Sequence, residues 1–347
     1  MSDAARKPVE QQLNEAALTA YLRDAMPDVR GQLRTEQIGG GQSNPTYYLW
    51  IGERDFVLRK QPPGPLLPSA HAVDREYRVQ KALADSDVPV ARPLLFCEDR
   101  TIVGTPFYVM ERRRGRVFHD CALPRCTPDQ RAAMYADMAR VLACIHKVDL
   151  TTSGLADFGR PGGYFARQIK RWGGQWQDQH PFDIPELDRL VDWLPQHVPA
   201  EDETTLIHGD YRVGNIMFHP TEPRIVAVFD WELSTLGHPL SDVAYNCLLY
   251  HSGPNEYGGI LGLDRQSLGI PAEDDYVGAY CRHAGRRDRL APFHLAFAMF
   301  RFAVIFAGIA SRAKAGTAAS ADAERVGRLA YYYAGKGWEQ AQRAGAR

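Results

Sequence analysis

A chain of 347 residues is too long for one small core and suits a two-lobed unit or a pair of domains. Its 45% hydrophobic and 24% charged residues exclude wholesale disorder. A formal charge of −1 excludes a global field for nucleic acid or an anionic membrane, so a small or neutral partner is expected.

In chain order, residues 1–30 read as a helical lead-in, with Leu13, Ala17 and Tyr21 at helical spacing and Pro27 as the stop. The periodicity then changes. Residues 35–38, 46–51 and 56–60 are β-branched and aromatic runs, with Gly52 and Glu53 as a tight turn. A helix is expected over 74–84, then strands over 92–97 and 106–111. Residues 31–111 thus read β-β-β-α-β-β, and residues 112–347 are mainly helical. The strongest helical signal is 128–148, where Thr127 and Gln130 complete a capping box around Pro128. Short β-like runs return at 204–207 and 225–229. Residues 291–310 are apolar enough to span a bilayer, but His294 and Arg301 sit inside the run, and a buried helix is expected instead. Six cysteines, none in a C-x-x-C pair, read as buried thiols of a reducing compartment. With no apolar leader in the first residues, a cytoplasmic location is expected.

Two segments carry chemistry. In the first, the apolar Leu206 and Ile207 lead into His208, Asp210 and Asn215. Asp-x-x-x-x-Asn is the spacing of a kinase catalytic loop, where the aspartate takes the proton of an attacking hydroxyl and the asparagine oxygen is a hard magnesium ligand. In the second, the strand-like 225–229 ends on Asp230, a further magnesium ligand. Each acid alone also reads as a turn residue; their joint spacing is what points to phosphoryl transfer.

The N-terminal half supplies the remaining parts. Gly39, Gly40, Gly41, Gln42 and Ser43 lie between two strands, where backbone amides can cradle phosphate. Asn44 stands where the third glycine of G-x-G-x-x-G would be, and strand rather than helix follows, which disfavours a dinucleotide fold; no P-loop signature is present. Arg59 and Lys60 end the third strand, and only one of them can face the site. Glu76 on the following helix is its expected partner.

These stretches resemble the aminoglycoside phosphotransferase/choline kinase-like family, in particular the kinase-like domain associated with acyl-CoA dehydrogenases. The resemblance runs over about residues 30–335 and rests on His208-Gly209-Asp210-Tyr211-Arg212-Val213-Gly214-Asn215 and on 229–242. It implies an α+β, two-lobed protein-kinase-like fold: a small antiparallel-sheet lobe at 31–111 and a mainly helical lobe at 112–347. It further implies Asp210 as base, Asn215 and Asp230 as metal ligands, Asp242 bracing the catalytic loop, and Arg59 in place of the commoner phosphate-pairing lysine, with Lys60 as reserve. Met110, Glu111 and Arg113 fall at the strand and hinge that hold adenine. The implied activity is ATP- and magnesium-dependent transfer to a small-molecule hydroxyl, and the family context suggests a hydroxyacyl compound or other apolar alcohol rather than an aminoglycoside. Alternatives are a non-catalytic nucleotide-binding module and a metal-dependent hydrolase built on His208, Asp210, Asp230 and His238. The loops at 154–172 and 251–259 are candidate acceptor walls, and the arginines at 112–116 read as a solvated connector or an anion site.

Overall fold

The computed structural model describes residues 13–39, 44–64, 71–179, 182–314 and 323–346. The chain forms two compact units, one from residues up to 84 together with 90–113, the other from 85–89 together with 114–347. The expected boundary after Glu111 therefore falls after Arg113. The short excursion at 85–89 joins the second unit, where the Pro89 carbonyl accepts the Val228 amide.

The first unit runs α1 (Glu15–Ala25), β1 (Leu33–Gln37), β2 (Thr46–Ile51), β3 (Arg54–Lys60), α2 (Val73–Leu83), β4 (Pro93–Cys97), α3 (Arg100–Val103) and β5 (Phe107–Glu111). Its strands make one antiparallel sheet in the order β1-β2-β3-β5-β4. Helix α1 is not a detached lead-in. Its Leu18 and Leu22 are buried with Leu49, Phe56, Leu58, Phe107 and Val109 in the core of this unit. Burial of each such leucine contributes about 1.5–3 kcal/mol, enough to dock an 11-residue helix that would be marginal alone. The β2–β3 turn requires glycine: Gly52 has φ +61°, and a Cβ there would lie 2.5 Å from the Arg30 carbonyl oxygen.

Register decides which of two adjacent cations faces which layer. Arg59 lies opposite Tyr108 and Lys60 opposite Phe107, so each pair shares one face of the sheet. Phe107 packs toward α1, its ring edge-on to Tyr21 at 5.7 Å, and Tyr108 packs toward α2, where its hydroxyl accepts from Gln80.

The second unit holds β6 (Arg116–Val117), α4 (Pro128–His146), α5 (Tyr164–Gln179), α6 (Pro185–Trp193), β7 (Thr205–Ile207), β8 (Ile216–Phe218), β9 (Ile225–Val228), β10 (Thr235–Gly237), α7 (Pro239–Cys247), α8 (Arg265–Leu268), α9 (Glu273–Ala284), α10 (Pro292–Lys314), α11 (Ala323–Gly327) and α12 (Leu329–Arg343). The capping box of α4 is formed: Gln130 N–H donates to Thr127 Oγ1 at 3.2 Å, and Thr127 N–H to Gln130 Oε1 at 3.0 Å. Strands β6, β8 and β10 were not expected from sequence; β8 pairs with β6 and β9, and β10 pairs with β7. Helix α10 is the apolar stretch noted above, and it lies inside this unit against α5, α7 and α12.

Candidate active site

The loop after β7 is fixed by a buried carboxylate on another element. Asp242, in the first turn of α7, accepts the His208 amide at 2.6 Å and the Gly209 amide at 2.9 Å, one on each oxygen. His146 of α4 adds a longer contact from Nε2 at 3.4 Å, its Nδ1 lying 2.7 Å from the Tyr280 hydroxyl. Burial works against the Asp242 charge, but His146, His208 and the Gly209 amide outweigh it and hold the carboxyl below its usual range. Gly209 has φ +81°, and a Cβ there would meet the Leu233 carbonyl oxygen at 2.6 Å, so the loop makes its turn only with glycine.

The loop presents Asp210. Its Oδ1 accepts from the Tyr245 hydroxyl and from Arg212 Nε at 3.2 Å. Its Oδ2 accepts from Asn215 Nδ2 at 2.7 Å, with only a longer 3.4 Å contact from Arg212. Asn215 ends a 3-10 turn, Val213–Asn215, and its Nδ2 also reaches the Asp210 carbonyl at 3.0 Å. Asp210 and Asn215 are therefore brought together as one unit. With the amide nitrogen committed to Asp210, the oxygen is the end of Asn215 left to act as a ligand.

Asp230 is tied to the same loop through its neighbour. Phe229 is clamped at both ends, its amide donating to the Asn215 carbonyl at 2.8 Å and its own carbonyl accepting from His208 Nε2 at 2.8 Å. Asp230 follows at once in the left-handed region, φ 61° and ψ 58°, a conformation costing a non-glycine residue about 1–2 kcal/mol. The amide of Asp210 donates to His208 Nδ1 at 3.2 Å, so His208 carries its proton on Nε2 and spends both nitrogens on backbone groups. His238 spends Nδ1 on the Leu240 amide. Of the two histidines in the hydrolase reading, His208 thus has both ring nitrogens engaged by backbone groups.

A narrow cavity beside Asp210 is lined by Arg212, Tyr245, Tyr257, Phe302, Tyr333 and His119. The 251–259 loop reaches it through Ser252 and Tyr257, while among the described residues none of the 154–172 stretch lines it. Burial and the nearby Asp210 charge keep the Tyr245 hydroxyl protonated, with its pKa well above the usual value. Arg212 is opposed by burial, but Asp210 and Tyr257 raise its pKa further.

In the first unit, Arg59 Nε meets Glu76 Oε2 at 2.7 Å and its Nη2 meets Oε1 at 3.2 Å. Glu76 is fully buried and also accepts from Asn44 at 2.8 Å and Tyr108 at 3.0 Å. Lys60 lies on the other face, buried, donating to the Val103 carbonyl, and desolvation lowers its pKa. Arg59, not Lys60, is thus the cation joined to the helix glutamate. Gly39 follows β1 in open space, and the Ile38 amide donates to the Thr46 carbonyl, so a β1–β2 hairpin leads into and out of the glycine loop. Gly40, Gly41, Gln42 and Ser43 lie outside the described residues. Met110 pairs in register with Val57, and Glu111 makes a half-exposed ion pair with Arg113 at 3.2 Å. The arginine run is partly consumed by structure: Arg112 pairs with Asp55 and stacks 3.8 Å over Tyr48, and Arg116 donates to the His219 and Glu222 carbonyls.

Residues 34–293 match the model of the phosphotransferase enzyme family, APH. The chain belongs to this family. Its fold is the two-lobed α+β kinase-like one. A Ralstonia eutropha crystal structure assigned to the aminoglycoside phosphotransferases is 46% identical, covering 96% of this chain and 99% of that one, with a TM-score of 0.89. The aminoglycoside phosphotransferase APH(4)-Ia, solved with ADP and hygromycin B, shares the fold at TM-score 0.61 and 16% identity, covering 93% of this chain and 98% of that one. Among curated proteins, mouse acyl-CoA dehydrogenase family member 10 is 43% identical over 95% of the chain, and human family member 11 is 40% identical over 92%. The phosphotransferase chain spans only 31% and 42% of their respective lengths.

Tyr245, Arg212 and Arg301 were not singled out as site residues. Tyr245 had a readable signal, since it stands three residues after Asp242 on one helix and so shares its face.

Proposed function

We propose that the protein transfers the γ-phosphoryl group of ATP to a hydroxyl of a small molecule, with Asp210 as the base. One observation carries this reading: Asp210 and Asn215 are hydrogen-bonded side chain to side chain, on a loop whose backbone clamps the residue before Asp230. The asparagine oxygen and the carboxylate of Asp230 are hard donors of the kind magnesium takes, and both fit it. Bound there, magnesium would supply neutralisation of phosphate charge. The chain's own groups do the rest. Asp210 orients the acceptor hydroxyl and takes its proton as that oxygen bonds to the γ-phosphorus and the bond to the bridging oxygen of ADP breaks. Oδ2, which Asn215 orients and Arg212 reaches only at 3.4 Å, is assigned to that step. Arg59, held by Glu76, is the cation for the phosphates, with Gly39 to Ser43 as the backbone cradle and Met110, Glu111 and Arg113 at the adenine side. Positioning and charge neutralisation provide most of the acceleration.

The cavity lining bears on the acceptor. Tyr257, Phe302 and Tyr333 are aromatic, the charged group is Arg212, and among the described residues no carboxylate lines the cavity. A polycationic acceptor finds no counter-charge in such walls; an alcohol on an apolar chain, such as a hydroxyacyl compound, fits them. The likeness to acyl-CoA dehydrogenase family members points the same way. The test is incubation with magnesium-ATP and a library of hydroxylated metabolites, with mass-spectrometric detection of products heavier by one phosphoryl group. Hydroxyacyl compounds should be converted, and Asp210→Asn should abolish conversion while nucleotide affinity persists. Conversion of sugars or choline alone would overturn the acceptor class, and an Asp210→Asn enzyme of full activity would overturn the mechanism.

A further inference from the structure

Helix α10 carries a cation where its composition least favours one. Arg301 is buried, only 8% exposed, within a mostly apolar 23-residue helix. Among the described residues no carboxylate pairs with it. Its Nη2 donates to the Gly209 carbonyl at 2.9 Å, and its Nε has no hydrogen-bond acceptor. Its guanidinium lies 5.5 Å from the Tyr245 ring centroid and 5.8 Å from that of Trp172. A buried, unpaired cation is costly, and an apolar residue of the same length would be a better core residue. What the arginine reaches is specific: the carbonyl next to Asp210 and the ring whose hydroxyl donates to Asp210 Oδ1.

We propose that Arg301 and Tyr245 form a positioning pair for the catalytic carboxylate. Arg301 anchors the Gly209 carbonyl and braces the Tyr245 ring. Tyr245 then occupies Oδ1, fixes the carboxylate plane, and leaves Oδ2 as the oxygen turned to the acceptor. Asp242 holds the two amides at 208 and 209 while Arg301 holds the carbonyl between them and Asp210, so the peptide groups are pinned from opposite polarities. Neither Tyr245 nor Arg301 takes part in proton transfer. This rests on Asp210 being the base, and its test is arranged so that the two ideas fail separately.

Wild type, Arg301→Met, Tyr245→Phe and the double variant are compared in two measurements. The first needs no substrate: hydrogen-exchange mass spectrometry of a peptide spanning residues 206–218, with residues 128–146 of α4 as internal reference. Arg301→Met should speed exchange in 206–218 about tenfold with α4 unchanged, because methionine keeps the bulk and removes the anchor. Unchanged protection of 206–218 would overturn the anchoring. Should Arg301→Met not fold, Arg301→Lys, which keeps the charge with a shorter reach, takes its place under the same criterion. The second measurement is steady-state turnover of magnesium-ATP with a hydroxyacyl-CoA ester as the probe. Tyr245→Phe, which removes one oxygen atom, should lower kcat about ten- to hundredfold with the KM for ATP unchanged. Adding Arg301→Met should cost less than the product of the two single effects, as expected of groups acting together. Full kcat in Tyr245→Phe, or strictly multiplicative losses, would overturn the pair. A wild type that turns over no acceptor would count against the proposed reaction, and the exchange data would still decide the anchoring.

Discussion

Replacing Asp242 by asparagine tests the brace beneath the catalytic loop with almost no change of shape. The carboxylate accepts two buried backbone amides, from His208 at 2.6 Å and Gly209 at 2.9 Å. An asparagine oxygen can serve one of them. Its NH2 group then faces the other amide, donor against donor. A stranded buried donor costs about 1–3 kcal/mol, and the surviving bond, no longer charge-assisted, weakens by about 1 kcal/mol. The expected loss is about 2–4 kcal/mol, read as a lower urea midpoint at unchanged m-value. The sign of the pH dependence follows from the direction of the shift. The folded Asp242 carboxyl titrates below its unfolded value of about 3.9, so its stabilisation is complete above that pH and is lost as pH falls through the folded value. The gap between wild type and Asp242→Asn should therefore be constant from pH 5 upward and close in stronger acid. A variant within about 0.5 kcal/mol of wild type, or a gap that widens on acidification, would refute the brace.

Three further outcomes are expected. Glu76→Gln should destabilise the first unit by about 2–4 kcal/mol, because it removes the fully buried carboxylate that Arg59 meets at 2.7 Å, and the urea midpoint should fall. At position 230, Asp230→Gly should be about 1 kcal/mol more stable than Asp230→Ala in thermal unfolding, since glycine takes φ 61° without strain; equal stabilities would argue against strain there. His294 is buried and its pKa is lowered to about 4 by desolvation, then by His238, so the unfolded chain binds its proton better and stability falls as pH drops from 6.5 toward 4. That loss is about 2 kcal/mol between pH 7 and 5. His294→Gln, which can still accept the Ala291 amide and does not titrate, should lose correspondingly less stability over the same interval.

Much of this architecture is written in local pattern. Strands β2 and β3 carry their β-branched and aromatic residues as runs, Thr127 and Gln130 announce α4, and the Asp210–Asn215 spacing gathers a site within six residues. What stayed hidden depends on pairing across the chain. Strands β6, β8 and β10 are two or three residues long and gain their order from partners, not propensity. The choice between Arg59 and Lys60 needed the register against Tyr108 and Phe107. Arg301 is visible in sequence only as an oddity in an apolar run, because its partner Gly209 lies 92 residues away.

The burial of α10 has a consequence for how the chain must be made. Its apolar stretch, Pro292–Arg312, has the length and composition that a membrane-insertion machinery accepts, and a lone arginine near its middle lowers that acceptance by only about 2.5–3.5 kcal/mol. In the folded protein, α12 packs along it, and α12 is synthesised later. Until that later helix docks, the emerging polypeptide carries an uncovered greasy rod. Deleting α12 should therefore divert the protein to chaperones, bilayers or inclusion bodies even though Asp210, Asn215 and Asp230 would still be encoded.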